Sequence, residues 1–302
     1  MGKRWGVIYN SVANMRSEPR HGAELLSQTL LGTIVEVLEE QEEWRKIQTP
    51  ERYTGWVIGS LQPVSNEELA EYKRQPKLIV TALYTRAWEN ASEQLTPVSD
   101  LVAGNILAIQ NVENRHYKVG YPDGRQAYVK KEDALPVEEW LAGIELTGES
   151  IVASALQLKG VPYLWGGTST KGIDCSGLTK HTYFMHGIIL SRDAWQQAIQ
   201  GERVDEGADF SNVLPGDLLF FGSKASDENS KERVVHVGIY MDNKRFVHAS
   251  DYVRVSSFDP SDPLYDAFNR GRYLYTKRII DKGQIKRVET VRDHPLYNSS
   301  TI

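Results

Sequence analysis

One cysteine and two histidines are the residues of this chain whose types and spacing suit covalent catalysis. Cys175 is the only cysteine among 302 residues, so its thiol has no disulfide partner within the chain. It directly follows Asp174, a good N-cap residue, and should therefore lie in the first turn of a helix. The helix dipole favours the thiolate there, which is the nucleophilic form of cysteine. The pattern predicts a nucleophilic thiol with a lowered pKa.

Two histidines in consecutive strand-like runs supply the base that such a thiol needs. His236 and His248 lie on either side of the turn-forming residues 241–244. A turn centred on Asp242 would pair the two histidines directly, with Cβ atoms ~4.5–5.5 Å apart on one face of the sheet. One imidazole can then act as the base for Cys175 while the other fixes its tautomer and orientation. The three residues together indicate a thiol hydrolase.

The elements that must position these residues form an α+β domain in the second half of the chain. Helices are expected at about 150–158, 174–187 and 193–200, and strands at 217–221, 234–240 and 245–249. Helices followed by strands are typical of α+β architecture. The last residues, from about 283, are polar and are expected to form a loose tail.

The first half of the chain contains an internal repeat with an offset of 72 residues. Gly32 aligns with Gly104 and Trp56 with Tyr128, and no gap is needed between these pairs. Each copy has short strand-like runs separated by turn residues, which predicts two small β-barrels. Whether they bind a ligand or act as spacers is left open by the pattern.

Charge and hydropathy exclude several functional classes. The formal net charge is −5 and no dense Lys/Arg run occurs, so a nucleic-acid partner is not expected. No stretch approaches ~18 consecutive apolar residues, so no membrane span is expected. One cysteine without clustered ligands argues against a zinc site, and the chemistry of a thiol hydrolase requires no metal or organic cofactor. The N-terminus lacks an apolar signal core, so we expect a cytoplasmic protein, or one of the periplasm or cell envelope if a signal has been removed.

Five ordered motifs in the second half resemble the NlpC-type cell-wall cysteine peptidases, which are papain-like hydrolases of peptidoglycan stem peptides. The motifs are GVPYLWGG at 160–167, DCSGL at 174–178, PGDL at 215–218, HVGIY at 236–240 and FVHA at 246–249. The resemblance implies that Cys175 is the nucleophile, His236 the base and His248 the orienting third residue. It also implies an active-site tyrosine at Tyr163, although this residue alternatively reads as a core aromatic.

The same resemblance suggests which residues contact the substrate. Trp165, Asp174 and Ser176 belong to the matched motifs and are implied in substrate binding. Many family members have Pro-Arg-Thr-Ser after the cysteine helix, whereas this chain has Ser-Arg-Asp-Ala at 191–194. Asp193 therefore places a carboxylate where a hydroxyl is usual. It either caps the following helix or binds a cationic group of the substrate.

The repeat in the first half resembles bacterial SH3-like domains, on the residues 14–19, 31–32 and 55–57. Two such domains before an NlpC-type domain resemble the γ-D-glutamyl-L-diamino-acid endopeptidases, also called dipeptidyl-peptidase VI. Those enzymes act on stem peptides with a free N-terminal L-Ala, and an acidic residue of the first SH3-like domain helps to bind the amine. Glu18 is the candidate for that residue here, and Glu24 is the alternative.

The sequence therefore predicts a papain-like peptidase domain preceded by two SH3-like β-barrels. The expected segments are the SH3-like domains at 1–65 and 76–137, the NlpC-type domain at 145–282 and the tail at 283–302. The expected activity is hydrolysis of the bond between γ-D-Glu and a diamino acid in peptidoglycan-derived peptides, by a monomer. The alternatives are an endopeptidase of intact cell wall, with the SH3-like domains as anchors, and a thiol acyltransferase of the same fold. A third is a non-enzymatic wall-binding module, which the complete set of Cys175, His236 and His248 disfavours.

Overall fold

The 72-residue sequence repeat forms two seven-stranded sheets with the same strand order. The computed structural model describes residues 2–92, 96–204, 210–225 and 232–297. The first copy contains β1 (Arg4–Ile8), β2 (Val12–Arg16), β3 (Leu25–Leu30), β4 (Ile34–Gln41), β5 (Trp44–Gln48), β6 (Thr54–Ile58) and β7 (Leu61–Val64). The second contains β8 (Lys77–Val80), β9 (Tyr84–Trp88), β10 (Pro97–Val102), β11 (Ile106–Val112), β12 (His116–Gly120), β13 (Gln126–Lys130) and β14 (Ala134–Pro136). The spatial orders are β3-β2-β6-β5-β4-β1-β7 and β10-β9-β13-β12-β11-β8-β14, which correspond strand by strand.

Equivalent glycines confirm that the repeat is structural. Gly32 has φ +84° and Gly104 has φ +90°, a left-handed conformation that favours glycine. The Gly32 N–H donates to Ile8 O at 2.8 Å, and the Gly104 N–H donates to Val80 O at 2.9 Å. The two copies therefore make the same turn between their third and fourth strands.

The expectation of two small β-barrels is corrected by the strand pairing, which leaves neither sheet closed. Within the described residues, no backbone ladder joins β3 to β7 or β10 to β14, so both sheets are open. Proline occurs in three of the four edge strands, as Pro63, Pro97 and Pro136. Because proline has no N–H to donate, it is suited to an edge strand and disfavours further pairing. Each sheet still encloses its own apolar core, around Met15 and Ile47 in the first and Leu101 and Val119 in the second.

The chain divides into two compact units, one comprising the residues up to Ile144 together with those from Val291 onward, the other Glu145–Thr290. The first unit also contains α1 (Asn66–Arg74) and α2 (Val137–Ala142). The second unit contains α3 (Gly148–Gln157), β15 (Thr168–Ser169), β16 (Gly172–Ile173), α4 (Cys175–Phe184), β17 (Ile188–Ile189), α5 (Ala194–Gln197), β18 (Glu202–Val204), β19 (Leu218–Ser223), β20 (Arg233–Tyr240), β21 (Arg245–Ser250), β22 (Tyr252–Ser257), α6 (Ala267–Gly271), β23 (Tyr273–Arg278), β24 (Ile280–Asp281), β25 (Gln284–Ile285) and β26 (Glu289–Thr290).

The second unit is built on a six-stranded sheet in the order β18-β23-β19-β20-β21-β22. Its central strands carry the apolar runs of the sequence, and Phe220, Phe221 and Val237 are fully buried. Helix α4 packs against β20 and β21, and α5 packs against β20. This packing brings the start of the cysteine helix to the strands that carry the two histidines.

The chain end differs from the loose tail expected from 283 onward. β26 pairs with β17, and Ile188 lies opposite Thr290. In the first unit, Val291 is buried and Leu296 packs against the small core around Val7. Burial of these apolar side chains fixes a segment whose overall composition is polar. No helix in the described ranges is long and apolar enough to cross a membrane.

Candidate active site

Cys175 is the first residue of α4, as its position after Asp174 predicts. Asp174 is the N-cap, and its Oδ1 accepts the Gly177 N–H at 2.7 Å. Its Oδ2 accepts the Gly166 N–H at 2.9 Å, which fixes the preceding loop to the same carboxylate. Amides in the first turn of a helix have no partner within the helix. The amide of Cys175 is therefore suited to stabilise an oxyanion beside the thiol.

A buried arginine that the sequence reasoning did not single out holds this helix start. Arg192 is only 2% exposed, and its Nη1 and Nη2 donate to Asp174 Oδ1 at 3.1 Å and Oδ2 at 2.5 Å. Nη1 also donates to Ser176 Oγ at 2.9 Å. Both oxygens of Asp174 and the hydroxyl of Ser176 are thus engaged within the protein. Their predicted contacts with substrate stay predictions, while the structure gives them a part in positioning Cys175.

The two histidines lie on one face of the β20–β21 hairpin, but not in the predicted register. Ile239 pairs with Val247 and Tyr240 with Phe246, so the turn is centred one residue later than Asp242 and the pairing is displaced by two positions. Because side chains alternate between the two faces of a sheet, a register displacement of two residues keeps each side chain on the same face. His236 Nε2 and His248 Nδ1 are 2.9 Å apart, in a diagonal rather than a direct pair.

Gly238 makes room for this diagonal contact. A Cβ atom at Gly238 would lie 3.1 Å from the Phe246 ring and 3.3 Å from His248 Cβ. Any side chain here would therefore press on the strand that carries His248. The signal in the sequence was the glycine within an otherwise continuous β-run, which indicates a close approach of another group.

A chain of hydrogen bonds continues beyond the histidine pair. His248 Nε2 lies 3.0 Å from Ser256 Oγ, and the Ser256 side chain hydrogen bonds to Asp266. An ionised carboxylate only accepts, so the Ser256 hydroxyl donates to Asp266 and accepts from His248 Nε2–H. Neutral His248 then presents an unprotonated Nδ1, to which His236 Nε2–H donates. His236 is left with Nδ1 as its basic nitrogen, which fixes the tautomer required of a general base.

The thiol lies against the strand that carries this base. Backbone N–H groups of Val237 and Ser176 hydrogen bond to the Cys175 sulfur. Val237 directly follows His236, so the sulfur and the imidazole are held on adjoining parts of α4 and β20. The structure therefore brings together Cys175, His236 and His248. This arrangement suits attack of a thiol on a carbonyl carbon with a histidine as proton acceptor.

The expectation of a lowered thiol pKa is wrong for this protein. Burial raises the pKa of Cys175 to about 12, and the Asp174 carboxylate adds to the increase. Burial also lowers the pKa of His236 well below its usual value and that of His248 to about 4. The resting pair at neutral pH is consequently a neutral thiol and a neutral imidazole. A neutral thiol needs a proton acceptor when it attacks, and the Nδ1 of His236 is the unprotonated nitrogen available for that role.

Tyr163 lies within electrostatic reach of the thiol. It is half-buried, and burial raises the pKa of its hydroxyl, with the nearby Asp174 carboxylate adding to the increase. The phenol therefore remains a hydrogen-bond donor at any pH at which the protein operates. Trp165, two residues later, is 62% exposed, so its ring offers an apolar surface at the start of the same loop. Both roles in substrate contact stay predictions.

Asp193 and Glu18 are the predicted ligands for a substrate amine. Asp193 is the N-cap of α5, and its backbone N–H donates to Gln196 Oε1 at 3.0 Å. Glu18 belongs to the first unit and forms an exposed ion pair with Arg20, with Nε and Oε2 3.0 Å apart. That pair lowers the pKa of Glu18 and keeps it charged. The structure shows helix capping for Asp193, and amine binding by either residue stays a prediction.

No metal site accompanies these residues in the part of the chain that the structure describes, since no three His, Cys, Asp or Glu side chains there are grouped to hold an ion.

Comparisons with known proteins agree with the motifs and the fold. Residues 160–273 match the NlpC/P60 family, and residues 11–61 match the bacterial SH3 domain. The chain is 29% identical to the "Dipeptidyl-peptidase 6" of Lysinibacillus sphaericus, over 86% of this chain and 93% of that protein. It is also 29% identical to the "Gamma-D-glutamyl-L-lysine dipeptidyl-peptidase" of Bacillus cereus, over 75% of this chain and 67% of that protein.

A solved structure shows the same fold over most of the chain. The crystal structure of an NlpC/P60 family protein from Bacillus cereus superposes with a TM-score of 0.77 at 23% identity, over 92% of this chain and 100% of that chain. The resemblance inferred from the five motifs is confirmed by these matches. The chain therefore contains a domain of the NlpC/P60 family and, ahead of it, a bacterial SH3 domain.

Proposed function

We propose that this protein is a cysteine peptidase that hydrolyses the γ-D-glutamyl–diamino-acid bond of peptidoglycan stem peptides with a free N-terminal L-Ala. The observation that carries the proposal is the single thiol at a helix start, held against a strand whose histidine is hydrogen bonded to a second histidine at 2.9 Å. Two of its relatives are named dipeptidyl-peptidases, and one of these names specifies γ-D-glutamyl-L-lysine. These names support the substrate class assigned here.

The reaction follows from the hydrogen-bond directions of the site. His236 Nδ1 takes the proton of the Cys175 thiol as the sulfur attacks the γ-carbonyl carbon of D-Glu. The Cys175 amide and the Tyr163 hydroxyl donate to the developing oxyanion. His236 returns the proton to the leaving amine of the diamino acid, and the C–N bond breaks. Water, deprotonated by the same imidazole, then attacks the thioester, which releases the dipeptide and restores the thiol.

The free amine of the substrate needs a carboxylate partner in a closed site, because an unpaired buried charge costs several kcal/mol. Asp193 is our first candidate, since α5 packs against the strand of His236. Glu18 of the SH3 domain is the second. We further propose that residues 76–137 form a second SH3-like domain, on the basis of the shared strand order.

Incubation with L-Ala-γ-D-Glu-L-Lys, followed by mass spectrometry, tests the proposal. We expect L-Ala-γ-D-Glu and free lysine as the products, and little cleavage of the N-acetylated peptide. Digestion of intact cell wall, with no cleavage of the soluble tripeptide, would instead support the wall endopeptidase. Transfer of the dipeptide to an added amine in preference to water would support an acyltransferase. Absence of all three reactions from folded protein would contradict the proposal.

A further inference from the structure

Arg272 is a cation beside the histidine pair that the proposed reaction does not use. It directly follows α6 and precedes β23, and its guanidinium is half-buried. Nε donates to Asn269 Oδ1 at 2.9 Å, and the guanidinium carbon lies 4.4 Å from the centre of the Phe268 ring. Among the described residues this is the only hydrogen bond of its side chain that the structure shows. The two terminal nitrogens of its guanidinium, Nη1 and Nη2, therefore remain available to a ligand.

The guanidinium is held in one orientation by a short internal network. Asn269 is 3% exposed, and its N–H and Nδ2 donate to Asp266 Oδ1 at 2.9 Å and Oδ2 at 2.5 Å. Asp266 also binds Ser256, which contacts His248, so the same carboxylate supports both the arginine and the histidine pair. An arginine fixed through Nε, with its plane stacked on a ring, is well suited to bind a carboxylate with its remaining donors.

The position of Arg272 relative to the reacting groups indicates which part of a substrate it faces. The guanidinium carbon of Arg272 lies 6.0 Å from the centre of the Phe221 ring, and the centres of the Phe221 and His236 rings are 5.4 Å apart. Burial lowers the pKa of His236 and His248, and the charge of Arg272 adds to that decrease. His236 must deliver a proton to the leaving amine, so the leaving residue has to lie on the histidine side of the thiol. A second cation, Arg254, adds positive charge on this side, because it is the cross-strand neighbour of His248. The buried Nε of Arg254 has no hydrogen-bond partner within the described residues.

We propose that Arg272 is a specificity-determining residue that binds a free carboxylate of the leaving diamino acid. This inference rests on the proposed function and adds to it the charge of the residue that is released. The carboxylate has two chemical sources, the main-chain carboxylate of a tripeptide and the side-chain carboxylate of a diaminopimelate residue. If the first is bound, the enzyme acts on peptides that a carboxypeptidase reaction has already trimmed to the diamino acid.

Three synthetic peptides separate these sources. They are L-Ala-γ-D-Glu-L-Lys as the free acid, the same peptide as its C-terminal amide, and L-Ala-γ-D-Glu-meso-diaminopimelate with only the main-chain carboxylate amidated. We expect wild-type protein to cleave the lysine free acid at least 10-fold faster, in kcat/KM, than its amide if the main-chain carboxylate is bound. If the side-chain carboxylate is bound, the diaminopimelate peptide should be preferred over the lysine amide by the same factor.

Arg272→Gln should remove the preference by lowering kcat/KM for the carboxylate peptide at least 10-fold while changing that for the lysine amide less than 3-fold. Arg272→Lys keeps the positive charge but lacks the paired N–H donors of the guanidinium, so it should retain part of the preference for the carboxylate peptide. This variant replaces Arg272→Gln in the test if the glutamine variant does not fold. The matched control is Arg233→Gln, an exposed residue of the same unit, which should behave as wild type.

Two outcomes overturn the inference while leaving the proposed function intact. One is that wild-type protein cleaves all three peptides at equal rates. The other is that Arg272→Gln lowers the rates for the amide and the acids by the same factor, as a purely structural residue would. If wild-type protein cleaves none of the peptides, the proposed function itself fails and this inference fails with it.

Discussion

Replacing Arg192 by methionine tests whether the buried ion pair with Asp174 supports the active site. The change removes the hydrogen bonds of Arg192 to both oxygens of the Asp174 carboxylate and to Ser176 Oγ, and it leaves this carboxylate, which is 6% exposed, without its cation. Removing one partner of such a pair costs about 3–5 kcal/mol, because the other charge stays buried without its counterion, which the N–H groups of Gly166 and Gly177 do not replace. For a unit of this size, 1 kcal/mol corresponds to roughly 2–4 °C in Tm. We therefore expect the melting temperature of the second unit to fall by roughly 6–20 °C.

A second ion pair of the same unit provides a matched control. Arg278 Nε and Nη2 donate to Asp217 at 2.9 and 2.8 Å, and Asp217 is buried. Arg278→Met should lower the Tm by a comparable amount but leave kcat/KM of the folded protein near the wild-type value. Arg192→Met should lower both, because Asp174 also positions the helix that begins with Cys175.

Calorimetry of wild type, Arg192→Met and the double variant Asp174→Asn/Arg192→Met completes the test. The double variant should regain at least half of the lost Tm, since no charge remains buried without a partner. A Tm for Arg192→Met within 2 °C of wild type would refute the assignment of this pair as a support of the site. A double variant less stable than the single one would refute the charge argument.

Three further outcomes follow from the site. The unfolding free energy of the second unit, measured in urea, should fall as the pH decreases from about 6.5 to 4. Burial lowers the pKa of His181, His236 and His248, so the unfolded chain binds protons in this range that the folded chain does not. An unfolding free energy that stays constant over this range would contradict the burial of neutral imidazoles. Alkylation of Cys175 by iodoacetamide should accelerate steadily from pH 7 to pH 10, since its thiol pKa is about 12; a plateau by pH 8 would show a lower pKa. Acetylation of the substrate amine should reduce kcat/KM by ~10²-fold, and Asp193→Thr should flatten that preference; a variant that keeps the full preference would leave Asp193 as a helix cap.

Local signals in the sequence were sufficient to locate the thiol and the repeat. Asp174 followed by Cys175 marks a helix start, and the structure has the cap and the helix at that position. The 72-residue offset predicted equivalent strands, and Gly32 and Gly104 adopt the same positive φ. These features depend on residues that are neighbours in the chain or on a periodic pattern, which a sequence displays directly.

Features that depend on burial or on distant contacts could not be predicted. The hairpin turn has Asn243 and Lys244 at φ +45° and +63°, and a left-handed lysine is not a residue that turn preferences would select. The β20–β21 register therefore differs from the predicted one, although His236 and His248 still lie on the same face of the sheet. The raised thiol pKa reflects packing around Cys175, which outweighs the helix dipole. Arg192 and Asp266 meet their partners only after the chain has folded.

Release of L-Ala-γ-D-Glu from L-Ala-γ-D-Glu-L-Lys by wild-type protein and by Cys175→Ala is the most direct test of a peptidase built on this thiol. Each variant is first shown by calorimetry to be folded, and dipeptide is then quantified by mass spectrometry over time. We expect cleavage by wild type and a loss of at least ~10³-fold in the variant, the scale on which nucleophiles of catalytic triads are lost. Equal dipeptide release by folded Cys175→Ala would contradict the account.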